Sequence, residues 1–344
     1  MSIEKPKVAI IGLGFGAEFI PIYQRHPDTE IVALCQRNEE NLNKVADEYG
    51  IEKRFTDYEE LLQDPDIDAV HINTPIPHHA EATLQAMRAG KHVACTVPMA
   101  TSVEDCEAIV KLSAESGMKY MMNETSTFHA DLYAKRMQYQ AGALGKVIYS
   151  EGEYWHDFGA KGIRGFNPKN GKVDVNGWRK AVPPMWYPTH ATAYYVSITG
   201  GRFTEVSAVG TPGLYPEYNG GDNQYENPFG TEIAMLKTSE GGISRMGGSW
   251  DMKDAHGEKG RVYGEKPHNK KINGSRPPLP PGVSGGGHGG SHGQLTNNFI
   301  ESILLDKKPI VDVGDALNMT LAGVIAHQSA LKGGEWMTIP QYDL

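Results

Sequence analysis

The chain has 344 residues and a formal net charge of −9, and it carries no dense cluster of lysine and arginine. This acidic balance excludes nucleic acid and anionic membrane surfaces as expected partners. The length exceeds the size at which a single hydrophobic core stops growing, so two domains are predicted.

Three cysteines are too few and too scattered for a disulfide framework, and none forms a Cys-x-x-Cys pair. A reducing cytoplasm is therefore the expected location. No apolar stretch reaches transmembrane length, and the first predicted strand starts so close to Met1 that no signal peptide is expected. We therefore expect no membrane partner.

A glycine-rich turn follows the first predicted strand, which is the apolar run 7–11. Gly12, Gly14 and Ala17 match the G-x-G-x-x-G/A fingerprint, in which a dinucleotide pyrophosphate lies on amide groups at the next helix start. The alternative is an ordinary strand-to-helix turn, but the flanking strand and helix patterns favour a cofactor site. Pro21 is expected to kink the following helix. The predicted cofactor contacts in the turn are Gly12, Leu13, Gly14, Phe15 and Gly16.

The residue after the second predicted strand, 30–35, normally distinguishes NAD from NADP, because an acidic side chain there binds the ribose 2′-hydroxyl. Gln36 stands at this position and can also bond a hydroxyl. Arg37 can stack on adenine or meet a 2′-phosphate. The pair favours NAD and leaves NADP open as the alternative cofactor.

Helices and strands alternate through the next 80 residues. Asn38 is the predicted N-cap of a helix that ends at Gly50, Asp57 starts a short helix, and Ser102 with Asp105 forms a capping box. The alternation predicts an α/β fold with a doubly wound parallel Rossmann sheet. The predicted strands cover 69–73, 92–95 and 119–122.

Ligands of such sheets bind at the carboxyl ends of the strands, so the turns at that edge are candidate cofactor contacts. His78 and His79 are adjacent and cannot share one helix face, so both are expected to be surface histidines at a helix start, not a metal pair. The predicted contacts at this edge are Asn73, Thr74, Pro75, His78, Thr96, Val97, Pro98 and Asn123.

After residue 124 the pattern changes to longer strands without helices between them, at 147–155, 203–209, 232–237 and 242–250. Successive strands of this kind predict a largely antiparallel sheet in a second, α+β domain. We therefore predict a dinucleotide-binding domain at residues 1–124 and a substrate-binding domain at residues 125–344.

Residues 264–293 carry nine glycines and five prolines and are predicted to form a long loop. His288 and His292 have a spacing that suits zinc on a helix, but two glycines between them disfavour a helix, so no metal is expected. A polar loop that closes over a sugar, with both histidines as substrate contacts, is the preferred interpretation. Two helices are predicted after it, near 294–306 and 314–331.

The segment from Gly90 to Pro98, together with the glycine fingerprint and the turn 73–75, resembles the Gfo/Idh/MocA family (glucose–fructose oxidoreductase, inositol dehydrogenase, rhizopine catabolism) over nearly the full length. The resemblance implies NAD- or NADP-dependent hydride transfer to or from sugars and polyols. It also implies an open C-terminal sheet that makes homodimer or homotetramer contacts.

The chain departs from the family at two positions. Ordinary dehydrogenases of the family have Glu-Lys-Pro where this chain has Thr96-Val97-Pro98, and their lysine touches the nicotinamide and the substrate hydroxyl. Val97 has no acid–base group. In the family's Asp-x-x-x-His pattern, Trp186 takes the place of the aspartate while His190 remains.

Members of the family with a non-basic residue in this turn are NAD-dependent glycosidases of the α-N-acetylgalactosaminidase type. This chain is similar to them at Glu124, at 187–190 and at 286–290. The resemblance implies oxidation of the sugar C3 hydroxyl by bound NAD, elimination of the aglycone, addition of water and return of the hydride.

Removal of a hydride from a secondary alcohol requires a base for the hydroxyl proton. His190 or Tyr187 is the predicted base and Glu124 a second acid or base, while a purely structural role is the alternative for each. Trp155 and Trp186 are predicted to stack on a sugar ring. The sequence predicts an NAD(P)-dependent sugar oxidoreductase, and the alternatives are a redox-neutral glycosidase or lyase and a nucleotide-binding protein without hydride chemistry.

Overall fold

The structure, a computed structural model, describes residues 3–157, 166–167, 172–173, 177–215, 223–267 and 272–343. The chain forms two compact units, one with Met1–Tyr133 and Ser275–Leu317 and the other with Ala134–Gly274 and Asn318–Leu344. The first unit therefore extends past residue 124 and includes a distant C-terminal segment. That segment joins it because Leu295, Phe299 and Ile300 pack in its apolar core.

In the described residues, strands alternate with helices up to residue 140, and strands predominate between residues 147 and 264. The strands are β1 Lys7–Ile11, β2 Glu30–Cys35, β3 Lys53–Phe55, β4 Ala69–Ile72, β5 His92–Thr96, β6 Tyr120–Asn123, β7 Val147–His156, β8 Phe166–Asn167, β9 Lys172–Val173, β10 Phe203–Pro212, β11 Phe229–Thr238, β12 Ile243–Ser249, β13 His256–Gly264 and β14 Met337–Thr338. The α-helices are α1 Ile20–Arg25, α2 Glu39–Tyr49, α3 Tyr58–Leu62, α4 His79–Arg88, α5 Val103–Ser116, α6 Ala130–Gln140, α7 Thr189–Thr199, α8 Gly287–Leu304 and α9 Val313–Leu331. Within the described ranges, none of the helices is both long and apolar enough to cross a membrane.

The first unit contains a parallel sheet with the strand order β3-β2-β1-β4-β5-β6, which confirms the predicted Rossmann fold. Val8, Ala9 and Ile10 of the central strand are fully buried, as expected for a strand that helices cover on both faces. The order reverses between β1 and β4, where such sheets bind their ligands.

The predicted helix ends of the first unit are confirmed. Asn38 Oδ1 accepts the Asn41 N–H at 2.8 Å, and Ser102 Oγ accepts the Asp105 N–H at 3.1 Å. The expected interior position of Pro21 was wrong. A 3-10 helix, Gly16–Phe19, precedes α1, so Pro21 lies in the first turn of α1, where its missing amide costs no intrahelical hydrogen bond.

The second unit contains a sheet with the order β13-β7-β12-β11-β10-β14, together with the separate pair β8-β9. Its pairs are antiparallel except for β7 with β12, which confirms the largely antiparallel prediction. Strand β13 was not predicted. It is an edge strand whose residues are mostly exposed, so its sequence has no apolar alternation.

Helix α7 packs on this sheet at two glycines that face each other in register, Gly152 of β7 and Gly260 of β13. A Cβ at Gly152 would lie 2.1 Å from the Ala191 carbonyl oxygen, and one at Gly260 would lie 2.3 Å from the Tyr194 ring. Only glycine permits this approach. The start of α7, which carries His190, is therefore held against β7 and β13.

Candidate functional site

The glycine-rich turn brings the end of β1 against the end of β4. Gly12 has φ +89°, and a Cβ there would lie 2.4 Å from the Asn73 carbonyl oxygen. A Cβ at Gly16 would lie 2.8 Å from Ile10 Cγ2, so Gly16, and not Ala17, is the close-packing position. The turn is thus fixed by backbone contacts that a larger residue would break.

The outer side of the same turn is open. Gly14 is exposed, and a Cβ there would meet no atom within 4 Å. The 3-10 helix that follows has no side-chain cap on its first amides. Backbone amides at an uncapped helix start below open space fit the pyrophosphate of a dinucleotide.

Gln36 lies beside this turn, as the sequence predicted for the residue after β2. Its Oε1 accepts the Leu13 N–H at 3.1 Å, and its side chain is half-buried, whereas Arg37 is exposed. Gln36 therefore stabilises the glycine-rich turn through this hydrogen bond. It also lies at the position where a ribose hydroxyl is expected to bind.

Four buried side-chain oxygens lie at the ends of β4 and β6 without a hydrogen-bond partner among the described residues. They are Asn73 Oδ1, Thr74 Oγ1, Asn123 Oδ1 and Thr125 Oγ1. An unpartnered buried polar atom costs about 1–3 kcal/mol. Polar groups of a bound cofactor would reduce this cost, so the residues at this edge fit a ligand.

His79 is buried, so the prediction of two surface histidines was wrong for it, although His78 is exposed. Its Nδ1 lies 2.7 Å from the Pro98 carbonyl oxygen and its Nε2 lies 2.9 Å from the Thr74 carbonyl oxygen. Burial lowers the pKa of His79, and the two carbonyl groups oppose that shift. The ring ties together the two turns predicted to contact the cofactor.

A second buried histidine that the sequence did not single out, His71, contacts Asn123. The Asn123 Nδ2 lies 2.7 Å from His71 Nε2, and His71 Nδ1 lies 3.3 Å from the Tyr23 hydroxyl. Burial, with a smaller effect from His292, lowers the pKa of His71 to about 3. The neutral ring therefore accepts from the Asn123 amide and donates to Tyr23.

The predicted substrate contacts His288 and His292 differ in exposure. His292 is fully buried and stacks on Phe19 with a ring separation of 4.4 Å, so it belongs to the packing of the first unit. His288 is exposed, and its Nδ1 lies 2.8 Å from His292 Nε2. Burial, then the charge of His288, lowers the pKa of His292 to about 4. Residues 288–290 have non-helical dihedral angles, as predicted from the glycines.

Glu124 is fully buried, and one of its oxygens has a structural task. Its Oε1 accepts the Ser126 N–H at 2.9 Å and caps the 3-10 helix Thr125–Phe128. In the turn after β5, Thr96 Oγ1 donates to the Ile72 carbonyl at 3.1 Å. Val97 in that turn is buried and offers neither a proton nor a lone pair.

In the second unit, aromatic rings surround His190. Tyr154 lies 4.6 Å and Tyr187 5.4 Å from the His190 ring, and the two tyrosines stack on each other at 5.5 Å. Trp250 lies edge-on to both tyrosines at 5.8 and 5.7 Å. The structure therefore brings together the predicted Tyr187 and His190 and adds Tyr154, which strand alternation places on the same sheet face as α7.

The two tryptophans predicted as sugar contacts lie elsewhere in this unit. Trp155 is buried on the opposite face of β7 from Tyr154, because neighbouring strand residues alternate between faces. Trp186 is half-buried, with its ring 5.1 Å from Tyr225 and 6.1 Å from His327.

Two acidic residues of this unit were not predicted. Glu258 Oε1 of β13 lies 3.8 Å from His190 Nδ1. Glu232, fully buried on β11, accepts from the Met185 N–H at 3.0 Å and lies 2.8 Å from His327 Nδ1. Glu232 thus anchors the turn that leads to Tyr187. Neither residue follows a pattern in the sequence, because the packing of helices and a turn against the sheet brings each to its partner.

Comparison with known proteins shows what the chain is similar to in sequence and in fold. Residues 6–124 match the sequence model GFO_IDH_MocA, described as an oxidoreductase family with an NAD-binding Rossmann fold. A 4-carboxy-2-hydroxymuconate-6-semialdehyde dehydrogenase of Sphingobium sp. is 30% identical over 212 residues, which are 61% of this chain and 64% of that protein. The match thus spans less than two thirds of that relative.

A glycosyl hydrolase family 109 protein of Streptomyces niveus is 25% identical, over 98% of this chain and 77% of its own length. A crystal structure of scyllo-inositol dehydrogenase from Lactobacillus casei with NAD(H) and scyllo-inositol has a TM-score of 0.74 and 17% identity, and the alignment covers 97% of this chain and 99% of that one. This structure shares the fold.

Two buried histidines of the first unit, His71 and His292, predict a dependence of stability on pH. Their folded pKa values, about 3 for His71 and about 4 for His292, lie below the ordinary value of 6.5, so the unfolded chain binds more protons below that pH. Stability is therefore present above about pH 6.5 and falls as the pH drops toward 4, by about 1.4 kcal/mol per pH unit and histidine. Urea unfolding at several pH values measures this fall.

His71→Gln removes one of these groups and should make the fall shallower between about pH 6.5 and 5. His78→Gln, at the exposed neighbour of the buried His79, is the control and should keep the wild-type slope. Equal slopes in wild type and His71→Gln would contradict the assignment.

Proposed function

We propose, from the match of residues 6–124 to the Gfo/Idh/MocA family of NAD-binding oxidoreductases, that the chain transfers a hydride between NAD and a secondary hydroxyl of a sugar or glycoside. The observation that carries the proposal is the glycine-rich turn, which is closed by backbone contact at Gly12 and open above Gly14. The unpartnered oxygens at the ends of β4 and β6 support it.

NAD, when bound, supplies the hydride acceptor. The residues of the chain must then remove the hydroxyl proton and orient the sugar. We assign the proton to His190, which aromatic rings surround, with Tyr187 as its neighbour and Glu124 as a second acid or base. Tyr154 and Tyr187 offer the stacked aromatic surface that sugars favour.

A second candidate function is redox-neutral glycoside cleavage, in which oxidation, elimination, water addition and reduction follow one another on bound NAD. The apolar, buried Val97 favours it, because the lysine of ordinary dehydrogenases is missing from this turn. The relative from Streptomyces niveus, named for glycosyl hydrolase family 109, supports the same candidate.

The first prediction of the proposal concerns the cofactor. Gly14→Ala places a methyl group in open space, so the fold should be unchanged while NAD affinity falls about tenfold or more, since the pyrophosphate must approach there. Calorimetric titration with NAD measures the loss. Ala114→Ser, on α5, is the control. If Gly14→Ala binds NAD with wild-type affinity, the glycine-rich turn is not part of the cofactor site.

The second prediction separates the two candidate functions. An oxidoreductase forms NADH, which absorbs near 340 nm, when a free sugar or polyol is added. A redox-neutral glycosidase releases the aglycone from a chromogenic glycoside with no net absorbance change from NADH. In either case His190→Gln should lower kcat by about 100-fold or more while the NAD affinity is kept. If a broad panel of sugars, polyols and glycosides gives neither signal with the wild type, the proposal is wrong.

We also propose that the chain forms a homodimer or homotetramer through the sheet face of the second unit opposite α7. That face exposes Met235 and Ile243 on the adjacent strands β11 and β12 and Tyr263 on the edge strand β13, beside the ion pairs of Arg245 with Glu151 and Glu153. A broad face that mixes apolar and paired charged side chains suits contact with a second copy.

Sedimentation velocity tests this assembly. The wild type should sediment as a dimer or tetramer, and Met235→Asp should yield monomers because it places a charge in the apolar part of the face. Leu305→Asp, at an exposed leucine of the first unit, should leave the assembly intact. A monomeric wild type would refute the proposed interface.

A cytoplasmic location is part of the same proposal. The thiols Cys35, Cys95 and Cys106 are all buried and unpaired. Burial raises the pKa of Cys35 and of Cys95 to about 12, so these side chains behave as small apolar groups that do not need an oxidising compartment.

A further inference from the structure

His190 has lost the partner that the Asp-x-x-x-His pattern would give it on its own segment. Trp186 occupies the position four residues before it, and the Trp186 ring packs against Tyr225 and His327. An imidazole that takes a proton from an alcohol depends on a group that fixes its tautomer and ring orientation. The second unit must supply that group from another element.

The carboxylate of Glu258 is placed to do this. Its Oε1 lies 3.8 Å from His190 Nδ1, and the two side chains are only 7% and 6% exposed. Burial of a carboxylate costs free energy unless a cation or a hydrogen-bond donor faces it. Catalytic contacts of this kind are often long before substrate binds and shorten in the complex.

The register of the sheet explains why Glu258 reaches His190. Glu258 pairs with Tyr154 across β13 and β7, two residues from the glycine pair Gly260 and Gly152 against which α7 packs. Residues two apart on a strand share a face, so Glu258 and Tyr154 both face α7. The Tyr154 ring contacts one side of His190 while Glu258 faces its Nδ1.

We propose that Glu258 is the positioning residue of His190 and replaces the missing aspartate from a different strand. This inference rests on the proposed function. The carboxylate holds the Nδ1–H tautomer, which leaves the lone pair on Nε2. When the substrate hydroxyl O–H bond breaks, His190 Nε2 takes its proton and a carbonyl forms at that carbon; NAD, when bound, would supply the acceptor for the hydride that leaves the carbon. Glu258 thus acts through His190.

Glu258→Gln tests the proposal because it keeps the size of the side chain and removes its charge. The expected result is a fall in kcat of about 10- to 100-fold, with the KM for the sugar and the affinity for NAD changed less than about threefold. If Glu258 were only structural, its substitution would lower the melting temperature without a selective fall in kcat at nearly constant KM. Glu265→Gln, at an exposed glutamate just past β13 whose carboxylate accepts from the Lys146 N–H, is the control and should leave kcat unchanged.

A spectroscopic measurement keeps the proposal testable even if no substrate is turned over. In protein labelled with ¹⁵N-histidine, the signal missing from His190→Gln identifies His190, and its nitrogen shifts report the tautomer. The wild type should show Nδ1–H, and Glu258→Gln should move the ring toward a mixture of tautomers. A wild-type Nε2–H tautomer, or a spectrum and a kcat that Glu258→Gln leaves unchanged, would overturn the role of Glu258. Absence of any turnover by the wild type would instead refute the proposed function.

Discussion

Backbone approach at glycine is the constraint on which both units depend. In the first unit the Cβ position of Gly12 is occupied by the Asn73 carbonyl, so the ends of β1 and β4 close into a turn with one open side. In the second unit Gly152 and Gly260 let α7 lie directly on β7 and β13. Each contact fixes the start of a helix to within the small tolerance that a binding or proton-transfer group needs. In each unit, the positions of the candidate functional groups therefore depend first on glycines, whose lack of a side chain permits these contacts.

Burial decides what each histidine contributes. His71 and His292 lie where no water reaches them, and their low pKa values keep them neutral, so they serve as hydrogen-bonding parts of the fold. His79 faces a carbonyl oxygen with each ring nitrogen, and this contact links two turns at the carboxyl edge of the sheet. His190 differs because aromatic rings and a carboxylate face it. The same side chain thus has a structural task in one unit and a proposed chemical one in the other.

Local pattern predicted most of the first unit, because its strands are continuous apolar runs and its helices begin at side-chain caps such as Asn38 and Ser102. The error at His79 was avoidable. His79, Ala82, Thr83 and Ala86 recur at helical spacing on the buried face of α4, so the periodicity of that helix separates His79 from His78. Trp155 and its neighbour Tyr154 lie on opposite faces of β7, and only the structure shows which of the two faces α7.

Glu258 and Glu232 lay beyond sequence reasoning for a different reason. Each contacts a residue more than 45 positions away in the chain. These contacts depend on strand register and on where α7 or α9 packs. Strand β13 is an edge strand, so its sequence also lacks the apolar alternation that predicts a strand. Long-range pairs of this kind become visible only when the topology is known.

The two departures from the dehydrogenase pattern have a common chemical meaning. Replacement by Val97 removes a cation and replacement by Trp186 removes an anion, so each change alone would alter the balance of charge, whereas the two together cancel and leave His190 as the proposed base. On the proposed function, a net oxidation needs that group only to accept a proton and lose it to solvent. A redox-neutral cycle needs it to accept the proton and return it within one turnover. The His190 ring is largely shielded from water, which suits the second demand better, because shielding slows exchange of the proton with bulk solvent. The buried His190 with Glu258 therefore fits a cycle that ends with the cofactor in its starting state at least as well as one that releases NADH.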